Sequence, residues 1–308
     1  MKLPISPLTF YRDEQRRERV TIGKLARAAC IAALAAAVTI YASPATLADT
    51  LATIRSSMSI RLAYRDDAPP FSVGGGAALP KGFIVDLCRA VTGDLAKQMG
   101  VAELKVVYVP VTAANRFDAI RQGKADILCE ATSETLARRK LVDFSIPTFV
   151  DGASLMIRSG GPASLQAFAG LKVGVLGGTT TEKALRNSLE ADGINATVVL
   201  AKTHADGLQM LESGAVSGYF ADRAILQYLQ LNSSAPEKLA LADNYLTVEL
   251  YALALPLGDQ KFRLAVDTAL SHIYRSGDIG KIFRGVFGGG AEPSGMLRTL
   301  YLVSGLQD

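Results

Sequence analysis

An alternation of strand-like and helix-like stretches that runs once and then starts again is the strongest constraint on how this 308-residue chain can fold. Ser59–Tyr64 alternates polar and apolar residues as a strand does. The prolines and glycines of Arg65–Ser72 and Gly74–Gly76 predict a loop. Apolar residues at helical spacing from Gly82 to Gly100 predict a helix. A β-branched strand follows at Lys105–Val111, then a short helix at Asn115–Gln122 and a strand at Ala125–Cys129. After Pro147 the pattern restarts, with strands at Ser154–Arg158, Lys172–Leu176, Ala196–Ala201 and Gly218–Ala221. Helices interleave at Thr180–Ala191, Ala205–Ser213 and Asp222–Leu231. A strand at Val248–Pro256, a long helix at Asp259–Arg275 and a shorter one ending near Phe287 close the chain. Such β/α alternation implies an α/β fold in which helices flank mostly parallel sheets. Two blocks with helices left over imply two lobes: 49–149 and the returning 251–308 form the first, 150–250 the second. Crossovers are expected near Phe149–Gly152 and Leu246–Tyr251, with a cleft between the lobes where small ligands bind.

An apolar content of 49% and a net charge of only +4 describe a globular protein. No Lys/Arg run interleaved with aromatics offers a nucleic-acid face. Residues 1–48 have the order of a secretory signal peptide: a basic stretch including Arg16, Arg17 and Arg19, an apolar run from Ala28, and small residues ending at Ala48. We expect cleavage after Ala48 and a periplasmic protein; the alternative is an uncleaved membrane anchor. Export leaves Cys88 and Cys129 in an oxidising compartment, where they either form one disulfide or remain two buried thiols. Cysteine and histidine spacing predicts no metal site, and no cofactor motif is present.

Candidate site residues lie at the C-terminal ends of predicted strands, where open α/β sheets bind ligands. The stretch Asp126–Pro147 passes from an apolar strand through small hydroxyl residues to Arg138 and Arg139, which suits a carboxylate but also fits solvated arginines on an ordinary turn. Gly174-Val-Leu-Gly-Gly-Thr-Thr-Thr-Glu182 opens a helix, where Thr179 either offers a hydroxyl and an amide to an anion or simply caps a glycine turn. It lacks the Gly-Lys-[Ser/Thr] ending of a nucleotide loop. Asp222 ends a strand and either receives an ammonium group or caps a helix. His204 stands at a strand-to-helix junction beside the expected cleft, where a lone histidine is either structural or functional. Arg65 and Arg116, each beside a loop, read by default as surface arginines, and Asp66-Asp67 are expected to face water. No strong catalytic motif occurs.

Taken as a set, these motifs resemble the family-3 solute-binding proteins of bacterial amino-acid ABC importers, and most of all their glutamate/aspartate-binding branch. The resemblance rests on Pro70-Phe71-Ser72, Gly82-Phe83 with Asp86, Pro110–Arg116, Cys129, Thr132, Arg138, Phe144-Ser145, Gly178–Thr180 with Glu182, Ala201–His204, Leu211–Gly214 and Asp222. It implies a monomeric Venus-flytrap that closes on one small ligand and hands it to a membrane permease. By that resemblance Arg138, helped by Ser133 and Thr179, holds an α-carboxylate, and Asp222 takes an α-ammonium. Arg65, Arg116 and His204 surround a side-chain carboxylate.

The chain departs from that branch in several places. Ala113, Ala131 and Leu176 stand where hydroxyl residues are usual, and Ala68 and Ala113 where aromatics sandwich the ligand. Glu130 replaces a glycine, and would add a negative charge if it faced the cleft. Two other classes remain open: a cyclohexadienyl dehydratase-like enzyme using Glu130 or His204 as acid or base, and a membrane-tethered sensor.

Overall fold

A computed structural model describes residues 49–75 and 78–307; the expected signal segment 1–48 lies outside the described residues. In chain order the elements are α1 (Thr50–Ser57), β1 (Ser59–Arg65), β2 (Asp67–Ala68), β3 (Ser72–Gly75), β4 (Ala78–Lys81), α2 (Phe83–Gln98), β5 (Lys105–Val111), α3 (Arg116–Arg121) and β6 (Ile127–Leu128). A 3-10 turn at Arg138–Lys140 precedes β7 (Asp143–Asp151) and β8 (Ala153–Arg158). Then come β9 (Lys172–Leu176), α4 (Thr180–Ala191), β10 (Thr197–Ala201), α5 (His204–Glu212), β11 (Gly218–Asp222), α6 (Arg223–Leu231), β12 (Leu239–Leu241) and β13 (Glu249–Leu255). Three helices follow: α7 (Gln260–Ser276), α8 (Asp278–Phe287) and α9 (Gly295–Ser304).

The strands form two five-stranded sheets, ordered β5-β1-β6-β13-β7 and β10-β9-β11-β8-β12. Each sheet has a parallel part, but β13 runs antiparallel to β6 and β7, and β8 antiparallel to β11 and β12. The sheets are therefore mixed rather than mostly parallel. The reason is the crossover: β7 and β8 carry the chain out of one sheet into the other, and β13 brings it back. Where a loop was expected at Arg65–Ser72 and Gly74–Gly76, the chain forms two strands, β2 and β3, of the small antiparallel sheet β2-β3-β4. Its prolines and glycines mark turns between strands too short to show periodicity.

The chain passes between lobes at Gly152 and returns before Glu249. A Cβ on Gly152 would lie 1.9 Å from the Thr247 carbonyl oxygen, so the two crossovers touch at a point only glycine permits. The Thr247 hydroxyl accepts the Ala153 N–H at 3.0 Å and donates to Glu249 at 2.8 Å, tying the crossovers together. The terminal helices return to the first lobe. Tyr274 donates to the Pro147 carbonyl at 2.8 Å and Tyr301 to that of Thr148 at 3.2 Å.

The first lobe's core is aromatic where it meets the crossovers. Phe71 packs edge-on against Phe149 and Tyr251, with centroids 4.9 and 5.3 Å away, and Phe83 packs on Phe149 and Phe283. These contacts fix Tyr251, which is fully buried. Beside them Cys88 of α2 is bonded to Cys129 at the end of β6, across Cα atoms 6.2 Å apart. That bond pins the strand end that leads into Glu130.

Two expected outcomes follow from this architecture. Closing a loop with a sequence separation of 41 limits the unfolded chain, so Cys88→Ser/Cys129→Ser should lose roughly 2–4 kcal/mol in urea titrations. Gly152→Ala must push the crossovers apart and should lower the melting temperature by several degrees.

Candidate functional site

Arg65, Arg116, Ser133, Arg138, Thr179, His204 and Asp222, predicted from six separate stretches, all line one cavity between the lobes. Its room, about 20 Å³, suits little more than one ordered water. The lobes are thus closed, and hydrogen bonds span them. Ser133 Oγ lies 3.2 Å from Thr180 Oγ1, and Thr180 donates to Glu249 Oε2 at 2.7 Å. Two roomier surface grooves, one beside Arg61 and Asp126 and one beside Leu136 and Val248, contain no comparable group of buried charges.

The second lobe contributes three strand-to-helix junctions. Gly178, with φ 75°, turns the chain into α4. Thr179 caps that helix by accepting the Glu182 N–H at 3.1 Å, and its hydroxyl donates to the Leu176 carbonyl at 2.8 Å. The Thr179 hydroxyl is therefore engaged in the cap, while the residue itself lines the cavity. Of the following hydroxyls, Thr180 is turned to the interlobe contacts and Thr181 to Asp222 within the second lobe. Thr203 and Asp206 form a capping box that places His204 in the first turn of α5. His204 is buried with Nδ1 2.9 Å from Tyr219 Oη. Burial first, then Arg65 and Arg116, pulls its pKa well below the ordinary imidazole value, so it is neutral at pH 7.

Asp222 stands at the helix N-cap position but makes no side-chain cap. Asp151, from the crossover, accepts the Ala224 N–H at 3.0 Å in its place. Asp222 is left facing the cleft, where Thr181 donates to it at 3.0 Å and Tyr251 at 2.5 Å. Burial raises its pKa against those two hydrogen bonds. Asp151 is raised to about 7, first by burial and then by the charge of Asp222, while the Ala224 and Gly152 amides oppose the shift.

The first lobe supplies the cations. Arg138 donates to the Ser133 carbonyl at 2.7 Å, and its guanidinium lies 5.2 Å from the Phe117 ring centroid. Arg116 lies 4.9 Å from the same ring, so Phe117 supports two arginines. Arg116 also donates to Ala113 O at 2.7 Å. Burial pushes its pKa down to about 10 despite Glu130, and Arg138 and Arg65 add to the fall. Burial likewise lowers Arg138. For Arg65 burial opposes the charge, but Glu130 and Asp67 outweigh it and raise its pKa. Asp67 does not simply face water: Arg65 Nε donates to it at 2.8 Å.

Glu130 is the residue whose place the sequence could not give. Its side chain is sealed from solvent behind the arginines, with Oε2 3.5 Å from Arg65 Nη1 and Oε1 3.3 Å from Arg116 Nε. The Thr132 hydroxyl donates to the same Oε1. Tyr251 and Glu249 were also missed, because an apolar strand carries no sign of which residue turns its polar end to a cleft. The run of three threonines did carry a signal for Thr180 and Thr181. Among the described residues no cluster of His, Cys, Asp and Glu could hold a metal ion.

A guanidinium and a helix N-terminus beside a carboxylate can receive an anion and a cation a few ångströms apart. Comparison with known proteins agrees with that chemistry. Residues 60–289 match the family model of the bacterial extracellular solute-binding proteins, family 3. The chain belongs to that family. Among its curated relatives is an L-glutamate/L-aspartate-binding protein of Pseudomonas aeruginosa, 31% identical over 81% of this chain and 83% of the relative. A glutamate/aspartate import solute-binding protein of Escherichia coli is 28% identical over 76% and 78%. A solved ancestral arginine-binding protein bound to glutamine matches with TM-score 0.65 and 27% identity, covering 75% of this chain and 98% of that one. An ancestral amino acid-binding protein, precursor of cyclohexadienyl dehydratase, matches with TM-score 0.68 and 25% identity over 78% and 100%. The two-lobed α/β architecture of this family-3 chain is that of its structural neighbours.

The acidic pair gives a pH signature. Folded Asp151 keeps its proton up to about 7, whereas an unfolded Asp loses it near 3.9. Across that window the folded state binds more protons, so stability falls as pH rises. Calorimetry between those limits should show a decline of a few kcal/mol in the ligand-free protein, and a flatter profile for Asp151→Asn.

Proposed function

We propose that this chain is the solute-binding component of an amino-acid ABC importer, exported by the segment 1–48 to the periplasm, where it loads a membrane permease as a monomer. The ligand is an acidic or polar α-amino acid. Its carboxylate meets Arg138 and the Ser133 hydroxyl at the helix start that Thr179 opens, and its ammonium meets Asp222. The observation that carries this reading is the pairing of Arg138 with Asp222 across one cavity. Asp222 is freed for the cleft because Asp151 caps the helix in its stead.

The named relatives support the reading, since glutamate/aspartate-binding and import proteins stand among them. Among the described residues no helix is long and apolar enough to cross a membrane. The closed cavity has no room for an amino acid, so loading requires the lobes to part about the crossovers at Gly152 and Thr247, and the ligand favours reclosure. A binding role also fits Glu130 better than catalysis does. Its carboxylate is occupied by Arg65, Arg116 and Thr132, and a general base needs a free oxygen within reach of the substrate proton.

Calorimetric titration of residues 49–308 with amino acids tests the reading. Binding should be lost in Arg138→Ala, and Asp222→Asn should weaken it by on the order of 100-fold, as for removal of one partner of a buried charge pair. Unchanged affinity in both variants would refute the assignment.

A further inference from the structure

Two arginines beside a cleft ordinarily call for a ligand carboxylate, but here that demand is met from inside. Glu130 lies within 3.5 Å of Arg65 and 3.3 Å of Arg116, its side chain wholly enclosed. Asp67 takes Arg65 a second time at 2.8 Å. Around the cavity the guanidiniums of Arg65, Arg116 and Arg138 thus face three carboxylates, Glu130, Asp67 and Asp222. His204 adds no cation, being buried and neutral. A zwitterion with an uncharged side chain enters with one charge of each sign and leaves this group balanced. A second ligand carboxylate would bring a further negative charge into a buried space with no uncommitted cation. Glu249 nearby makes that more unfavourable.

The arginines do retain hydrogen-bonding capacity. Arg65 Nη2 and Arg116 Nε are buried without an aligned acceptor, although each lies close to a carboxylate oxygen. Buried donors left unpaired cost stability, and a ligand atom that accepts from them relieves it. What the cleft lacks at this end is an acceptor rather than a charge.

We infer that Glu130 is a specificity-setting residue that stands in for a ligand's side-chain carboxylate, so that the cleft takes an amino acid with an uncharged, hydrogen-bond-accepting side chain, glutamine or asparagine in class, in preference to glutamate or aspartate. Glu130 acts through Arg65 and Arg116 and is a positioning residue, not a group that touches the ligand. The inference rests on the amino-acid reading above and narrows it to the polar, uncharged side.

Calorimetric titration of residues 49–308 with the twenty amino acids, repeated in Glu130→Gln and Asp67→Asn, tests it. In the wild type an amide or other uncharged polar amino acid should be the strongest ligand, with glutamate and aspartate weaker by roughly tenfold or more. Glu130→Gln keeps the size of the side chain but removes its charge. It should shift the glutamate-to-glutamine affinity ratio toward glutamate by roughly tenfold or more, mainly through tighter glutamate binding. Asp67→Asn, at a half-exposed site, should shift the ratio the same way by less, and keeps the test open if the first variant does not fold. A merely structural role for Glu130 would weaken all ligands alike and leave the ratio unmoved. That result would overturn the inference, as would an acidic, basic or apolar amino acid as the strongest wild-type ligand. Binding of none of the twenty would instead overturn the amino-acid reading on which it rests.

Discussion

The buried Glu130 carboxylate holds this site together. Without it, Arg65 and Arg116 would be two guanidiniums facing each other in a space closed to water, with Arg138 a short distance away. Burial is the main cause of the lowered pKa of Arg116, and the charges of Arg138 and Arg65 add to it. Every feature that fixes Glu130 therefore fixes the cleft. The Cys88–Cys129 bond holds the residue before it, β6 sets its direction, and the Thr132 hydroxyl orients its oxygens. A buried ion pair of this kind is weak evidence for stability by itself. Its value is that it presents two charged donors at a set place without requiring the ligand to neutralise them.

The other half of the cleft follows the same logic with opposite sign. Asp222 is held between the Thr181 and Tyr251 hydroxyls, and Tyr251 is placed by the aromatic packing of Phe71 and Phe149 in the first lobe. Closure thus joins a core of one lobe to a carboxylate of the other. Asp151 links the parts: it lies on the crossover, caps the helix that follows Asp222, and feels that residue's charge. On the proposed function, occupancy of the cleft would be coupled to lobe position through these few residues, beside the point where Gly152 lets the two crossovers touch.

Much of this was legible in the sequence. The strands Lys105–Val111 and Lys172–Leu176 and the helix Thr180–Ala191 lie where periodicity puts them, because each carries one continuous apolar pattern. The seven candidate residues meet because the C-terminal ends of parallel strands converge, a rule that needs only strand order. What sequence could not give was contact between side chains distant in the chain. Asp67 was read as solvated because its partner's orientation was unknown. For Thr179 the sequence left a ligand contact and a helix cap both open, because capping and anion binding use the same residue type at the same place. Glu130 showed only as a departure from the family pattern, since whether it faces the cleft or backs the arginines depends on a rotamer.

A crystal structure of the protein loaded with its strongest-binding amino acid tests the account most directly. The α-carboxylate should lie on the Arg138 guanidinium and the ammonium on Asp222, with Glu130 still paired with Arg65 and Arg116. A ligand carboxylate in contact with Arg65 and Arg116, with Glu130 displaced from them, would contradict it.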